Sequence, residues 1–175
     1  MRITKIESIF EFGSNVGLNL LALTNLLPLV GDLSAIEINF EAYKELRKNL
    51  PNAKVYNQSI LDFEVGYKRD LVIISCVLIH INPDELKHVY QKLYDCSKKY
   101  LLASEYYNPT PVEVEYRGHS GKLFKRDFAG EIMDMYPDLQ LVDYGFWYHR
   151  DNVFPGGDST WFLMKKMNEA KDNYY

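Results

Sequence analysis

The sequence predicts a doubly wound α/β domain on a seven-stranded sheet, mostly parallel and ending in an antiparallel hairpin strand. Three observations predict it. Short β-prone runs alternate with helical runs from residue 8 to residue 105. The run Leu71–Ile74 is continuously apolar, as a strand covered on both faces must be. The last two β-prone runs flank Pro155-Gly156-Gly157-Asp158, a hairpin turn. A chain of 175 residues has room for one domain, expected over residues 1–167, with a polar tail at 168–175.

The elements follow in order. Ser8–Phe12 is a β-prone run ending at Gly13, and Leu18, Leu21, Ala22 and Leu26 then share a helical face until Pro28 stops the helix. Ala35–Ile38 reads as the second strand, Glu41–Leu50 as an amphipathic helix closed by Pro51, and Ala53–Asn57 as the third strand. Asp70–Ser75 is the central fourth strand. Pro83 suits a first helical turn, and Leu86, Val89, Tyr90 and Leu93 recur at three- and four-residue intervals up to about Ser97. Tyr100–Glu105 is the fifth strand. The stretch Tyr106–Lys125 carries Asn108-Pro109, Pro111, Gly118 and Gly121, so a long functional loop is expected. A helix at Asp127–Met135 precedes the hairpin of Leu139–Tyr148 and Thr160–Lys166.

Composition limits the function classes. With 47% hydrophobic and 25% charged residues, the chain can pack a core. The net charge of −4 argues against broad binding to nucleic acid, which needs a cationic surface. Cys76 and Cys96 have neither metal-ligand nor disulfide-scaffold spacing, so no metal site is expected and a reducing cytosol fits. No apolar signal region follows Met1–Glu7, and no apolar run approaches the ~20 residues that span a bilayer, so a cytoplasmic protein without a membrane partner is expected.

The first strand runs into Glu11-Phe12-Gly13-Ser14-Asn15-Val16-Gly17, where glycine permits positive φ and close backbone approach to a ligand. The glycines fall at the first and fifth positions of that turn, not the first, third and sixth of the dinucleotide fingerprint, which disfavours a nicotinamide-dependent oxidoreductase. Glu37 ends the second strand twenty residues beyond Gly17, where a carboxylate can accept both hydroxyls of a ribose.

With an acidic residue before the glycine turn and another ending the second strand, the chain resembles the class I S-adenosylmethionine-dependent methyltransferases over most of its length. A closer resemblance is to the methylases associated with pseudaminic acid biosynthesis. It is carried by residues 11–20, by Ile36-Glu37-Ile38-Asn39, by Leu78-Ile79-His80-Ile81-Asn82-Pro83, and by Glu105-Tyr106-Tyr107-Asn108-Pro109-Thr110-Pro111. Tyr116-Arg117-Gly118-His119, the run 122–128 and Gly157-Asp158-Ser159-Thr160-Trp161 extend it. The resemblance implies a Rossmann-like sheet and S-adenosylmethionine as cofactor. Glu11, Gly13, Ser14, Asn15 and Gly17 would face its methionine part, Glu37 its ribose, and Ile38 its adenine with Asn39 alongside. Ser59 and Ile60 would lie along the adenine edge, and Cys76 and Val77 would line the reacting end. The family carries an N-terminal segment that closes over the cofactor, whereas this chain reaches its first strand after seven residues. A truncated lid is therefore expected: either Tyr106–Lys125 or a second subunit of a homo-oligomer covers the site, or the cofactor stays more solvent-exposed and turnover is slower.

Methyl transfer needs alignment, exclusion of water and, for a hydroxyl acceptor, a base. His80, Glu105 and His119 are the candidate catalytic residues, His80 as proton acceptor and Glu105 as a hydrogen-bond partner of the acceptor. The ordinary alternative for Glu105 is a carboxylate paired with Arg117 or Lys125. Tyr106, Arg117, Lys125 and Arg126 are candidates for binding an acidic acceptor through charge-assisted hydrogen bonds. The expected function is methylation of a small polar, sugar-related acceptor, nucleotide-linked or a nine-carbon acidic sugar. The alternative is a catalytically weak or inactive subunit that binds cofactor or a partner.

Overall fold

The computed structural model describes residues 5–167, so the tail expected at 168–175 lies outside the described residues. In chain order the elements are β1 (Ser8–Phe12), α1 (Leu18–Leu26), β2 (Asp32–Ile36), α2 (Phe40–Asn49), β3 (Lys54–Tyr56), β4 (Arg69–Ser75), α3 (Leu86–Cys96) and β5 (Ser97–Glu105). There follow β6 (Val112–Tyr116), β7 (His119–Lys125), α4 (Phe128–Met135), β8 (Leu139–Trp147) and β9 (Ser159–Lys166), and two short 3₁₀ turns at Leu78–His80 and Pro83–Glu85 precede α3. Seven strands form one sheet in the order β3-β2-β1-β4-β5-β9-β8, and β6 and β7 pair separately. β1 to β5 run parallel, while β9 is antiparallel to both neighbours. Strand order reverses between β1 and β4, which opens a crevice at their carboxyl ends.

Period-two alternation splits the strands between two cores. Phe10, Phe12, Val72, Ile74 and Leu101 pack with Val89, Tyr90 and Leu93 of α3 and with Phe128 and Ile132 of α4. Ile9, Ala35, Leu71, Ile73 and Tyr100 face the opposite side, with Leu20 of α1 and Leu46 of α2. Asn39 caps α2 by accepting the N–H groups of Glu41 and Ala42 at 3.0 and 3.1 Å, and Arg47 and Lys48 complement the other end of the helix dipole. At the opposite end of the sheet, buried Arg69 stacks 3.3 Å over the Tyr67 ring and 5.0 Å over that of Phe10, and donates to Ser34 Oγ at 2.6 Å.

Two expectations need correction. Tyr106–Lys125 is mostly a β-hairpin, not a loop: only the proline-containing lead-in is irregular, and the chain turns at Arg117 and Gly118, whose φ angles are 53° and 79°. The signal was in the sequence, because Val112-Glu113-Val114-Glu115-Tyr116 alternates before an Arg-Gly turn. The buried stripe of α1 is also rotated. Leu18 and Leu26 are exposed, whereas Leu20 is fully buried, since this helix is apolar nearly all round and its facing is set by the sheet.

Candidate functional site

A cavity of about 480 Å³ lies at the carboxyl ends of β1, β2 and β4. Of the expected cofactor residues, Gly13, Asn15, Glu37, Ile38, Asn39, Ser59, Ile60, Cys76 and Val77 line it, and so does His80. Glu11, Ser14 and Gly17 are not in its lining. Ile36, Ala42, Gln58, Leu61, Ser75 and Ile81 also line it and were missed; each is a near neighbour of a predicted residue and carries no distinct signal of its own.

The chain turns out of β1 with Gly13 and Ser14 donating to the Ile36 carbonyl at 2.9 and 3.0 Å. Gly13 has φ 75°, and an added Cβ would run into Val77 Cγ2, so the turn needs glycine for both its dihedral and its space. Gly17, at φ 85°, starts α1, and a Cβ there would stand 2.6 Å from Leu46 Cδ1. Gly17 therefore serves helix packing.

The Glu37 carboxylate is buried and holds two turns together. Its Oε2 accepts the Asn15 N–H at 2.9 Å and its Oε1 the Asn39 N–H at 2.7 Å. Asn57 secures the segment by donating Nδ2 to the Glu37 carbonyl at 2.8 Å. Each carboxylate oxygen keeps a further lone pair for a ligand.

Glu11 is 1% exposed and accepts Asn19 Nδ2 on Oε1 at 2.7 Å, while Oε2 has no partner. Burial pushes its carboxyl up to about 7. Glu105 is likewise buried, and burial raises its carboxyl to about 7 despite the backbone N–H groups it accepts. Its Oε1 accepts Val77 and Leu78 N–H at 3.1 and 3.0 Å, so it pairs with neither Arg117 nor Lys125 and braces the cavity wall after β4. Cys76 adopts φ 54° in the same wall, and burial pushes its thiol up, away from nucleophilic thiolate.

His80 is the candidate base that lines the cavity. Its Nδ1 lies 2.8 Å from the Lys122 carbonyl on β7. A carbonyl can only accept, so Nδ1 carries the proton and Nε2 of the neutral ring presents a lone pair. The ring packs 5.4 Å from Tyr116, so the β6–β7 hairpin fixes its orientation. The remaining candidates are dispersed. His119 begins β7 on the exposed hairpin, Arg117 sits at its tip 5.1 Å over the Tyr116 ring, and Lys125 lies 5.2 Å over Tyr106. Arg126 donates Nε to Glu131 at 2.6 Å, and Tyr90 donates to the same carboxylate at 2.7 Å. Among the described residues no three His, Cys, Asp or Glu side chains could hold a metal, and no helix is long and apolar enough to cross a membrane.

The strand order with its antiparallel β9 is the Rossmann-like methyltransferase fold. No family model and no curated protein matches the chain significantly. Among solved structures, N-methyltransferase NodS from Bradyrhizobium japonicum superposes with TM-score 0.71 at 14% identity, covering 93% of this chain and 87% of that one. A SAM-dependent methyltransferase from Methanosarcina mazei gives TM-score 0.69 at 12% identity, covering 95% of each chain. A Burkholderia thailandensis 1,6-didemethyltoxoflavin-N1-methyltransferase, bound to its substrate and S-adenosylhomocysteine, gives 0.72 at 9%, covering 94% and 72%.

Proposed function

We propose that this chain is an S-adenosylmethionine-dependent methyltransferase acting on a small molecule. The observation that carries the reading is Glu37, a buried carboxylate at the end of β2 on the wall of a 480 Å³ cavity at the switch point of the sheet. A cavity of this size suits a nucleoside with an amino-acid arm.

The residues present fit that cofactor. Glu37 has lone pairs for the two ribose hydroxyls, and the Gly13 turn leaves a surface that any Cβ would fill. Ile38 and Ile60 offer apolar contact to adenine, and Ser59 a polar edge. Buried behind the turn, Glu11 has an oxygen without a partner, suited to the ammonium of the methionine arm. S-adenosylmethionine supplies a methyl group on a sulfonium, ready for in-line displacement. The protein's part is alignment and proton removal. For an acceptor held beside the sulfonium, His80, its Nδ1 occupied by the Lys122 carbonyl, would take on Nε2 the proton that the acceptor loses. Glu105 is a positioning residue, because it holds Val77 and Leu78 and not the acceptor.

The acidic sugar acceptor expected from the basic cluster has little geometric support. Arg126 is committed to Glu131, and Arg117 and His119 lie out on the hairpin. The reading of an inactive binding subunit is disfavoured by the oriented His80 in the cavity wall. Calorimetric titration with S-adenosylmethionine, S-adenosylhomocysteine and NAD tests the proposal. Micromolar binding of the two adenosyl ligands and none of NAD supports it; no adenosyl binding sinks it.

A further inference from the structure

The hairpin that orients His80 is itself weakly attached. β6 and β7 pair with each other and with no strand of the main sheet, and a two-stranded ribbon is marginally stable without tertiary support. Along β7, residues His119 to Lys122 are exposed and Leu123 is buried. The carbonyl that meets His80 Nδ1 thus belongs to an exposed residue, Lys122. Leu123 pins one point of the strand to the core. One point leaves the strand free to pivot, so the direction of the Lys122 carbonyl needs a second.

Arg126, the residue immediately after β7, supplies it. Its carbonyl accepts the Asn108 N–H at 3.5 Å, which closes the base of the hairpin, and its Nε donates to Glu131 Oε1 of α4 at 2.6 Å. The two side chains are 19% and 29% exposed, so the pair is shielded more than a surface ion pair and is worth correspondingly more. Glu131 is held in turn. Its Oε2 accepts the phenol of Tyr90 at 2.7 Å, and Tyr90 is fully buried in α3. Burial and the Glu131 carboxylate push that phenol up, so it remains a donor. Arg126 also shares with Glu105, Phe128 and Phe162 a cavity of about 10 Å³, too small for more than one water, so its side chain has no space to shift into. His80 is therefore held from two sides: Glu105 fixes the backbone of its turn through Val77 and Leu78, and the hairpin fixes its ring.

We propose that Arg126 is a positioning residue for His80: through Glu131 and Tyr90 it fixes the line of β7, and so the Lys122 carbonyl that keeps the proton on His80 Nδ1 and the lone pair on Nε2. The inference rests on the reading of His80 as proton acceptor. Lys122 lies four residues before Arg126, about 13 Å along a strand, so a small swing at the base moves the carbonyl out of hydrogen-bond range. Without that carbonyl the two ring nitrogens compete for the proton, and the fraction of His80 with a free Nε2 lone pair falls. Arg126 then serves the reaction without touching the acceptor.

The test reads histidine tautomers directly, by long-range ¹H–¹⁵N NMR of the full chain at about pH 8.5, where imidazole is neutral. S-adenosylhomocysteine affinity is measured calorimetrically in parallel. In the parent chain His80 should carry its proton on Nδ1. Arg126→Gln and Glu131→Ala should each shift the tautomer ratio toward Nε2–H by about three- to ten-fold, the worth of one hydrogen bond. His88, whose Nε2 lies 3.3 Å from the Leu61 carbonyl, and His149, paired with Asp158, should keep their signals, and S-adenosylhomocysteine affinity should hold. Arg126→Lys keeps a cation for Glu131 and should recover most of the parent ratio. The double variant should shift no further than either single one, because the two side chains act as a unit. If His80 keeps its parent ratio in both single variants, Leu123 alone places the carbonyl and the proposal is overturned. Equal shifts at His88 and His149 would mean general loosening and overturn it too. If His80 responds as expected but the parent chain does not bind S-adenosylhomocysteine, the methyltransferase reading falls and takes the catalytic meaning of the tautomer with it.

Discussion

The carboxylate of Glu37 accepts the backbone N–H of Asn15 at 2.9 Å, across 22 residues of sequence, and so ties the turn after β1 to the end of β2. A residue expected from sequence to hold only a ligand is also part of the frame. Glu37→Ala would therefore leave two backbone N–H groups without their acceptor as well as removing the ribose contact. The variant should lose about 1–3 kcal/mol of stability and bind S-adenosylhomocysteine at least about ten-fold more weakly. Urea denaturation and calorimetry measure the two effects separately; full stability with unchanged affinity would refute both roles.

Gly13→Ala places a methyl group against Val77 and forces an L-residue to φ 75°. Cofactor affinity should fall. Val77→Ala in the same chain should recover the steric part and leave a dihedral cost of about 1–2 kcal/mol. A double-mutant cycle on S-adenosylhomocysteine binding reads the coupling, and strictly additive losses would mean that the two side chains do not meet.

His80→Ala should reduce turnover by about 10²–10⁴-fold with cofactor affinity nearly unchanged, because the ring is assigned to proton removal and not to cofactor contact. Single-turnover methyl transfer compared with calorimetric affinity tests this split. Equal loss in both would make His80 a structural part of the cavity wall.

Burial raises the Glu11 and Glu105 carboxyls to about 7, from the 4.5 of an exposed glutamate. Between pH 4.5 and 7 the folded chain thus binds more protons than the unfolded one at these two groups. Their contribution to stability falls as pH rises through that window, by on the order of 3 kcal/mol per group at most. Glu105→Gln keeps an oxygen that can accept from Val77 and Leu78 but cannot ionise. Urea denaturation from pH 5 to 8 should show a shallower fall in the variant, and an identical slope would contradict the assignment.

Pairing of a cofactor ammonium with Glu11 would favour its carboxylate, so S-adenosylhomocysteine binding near pH 7 should release a proton. Binding enthalpies in buffers of different ionisation enthalpy should then differ, and Glu11→Gln should abolish the difference. Enthalpies independent of buffer in the parent chain would place the ammonium elsewhere.

Much of the candidate site was legible before any coordinates. The turn Gly13–Gly17 and the acid at Glu37 are local features, since positive φ demands glycine and a strand's end is marked by where its apolar run stops. They identified Gly13, Asn15 and Glu37 of the cavity lining, and the family resemblance added Ile38, Asn39, Ser59, Ile60, Cys76 and Val77. The β6–β7 hairpin was equally local in Val112–Tyr116 and was obscured by the neighbouring prolines and glycines.

By itself, the sequence determined the order of strands and helices outside residues 106–125, the glycine turn and the carboxylate that faces it, because periodicity, dihedral freedom and spacing act over a few residues. Only the tertiary structure decided what each charged group does. Glu105 braces the wall after β4 through two backbone N–H groups, Arg126 is held by Glu131, and His80 is aimed by a carbonyl 42 residues away. It also decided that β4, β5 and β9 meet Trp147 and Trp161 in an apolar cleft beside the cofactor cavity. These are contacts between distant segments, set by sheet register and packing, and no local pattern in the chain encodes which partner a side chain will meet.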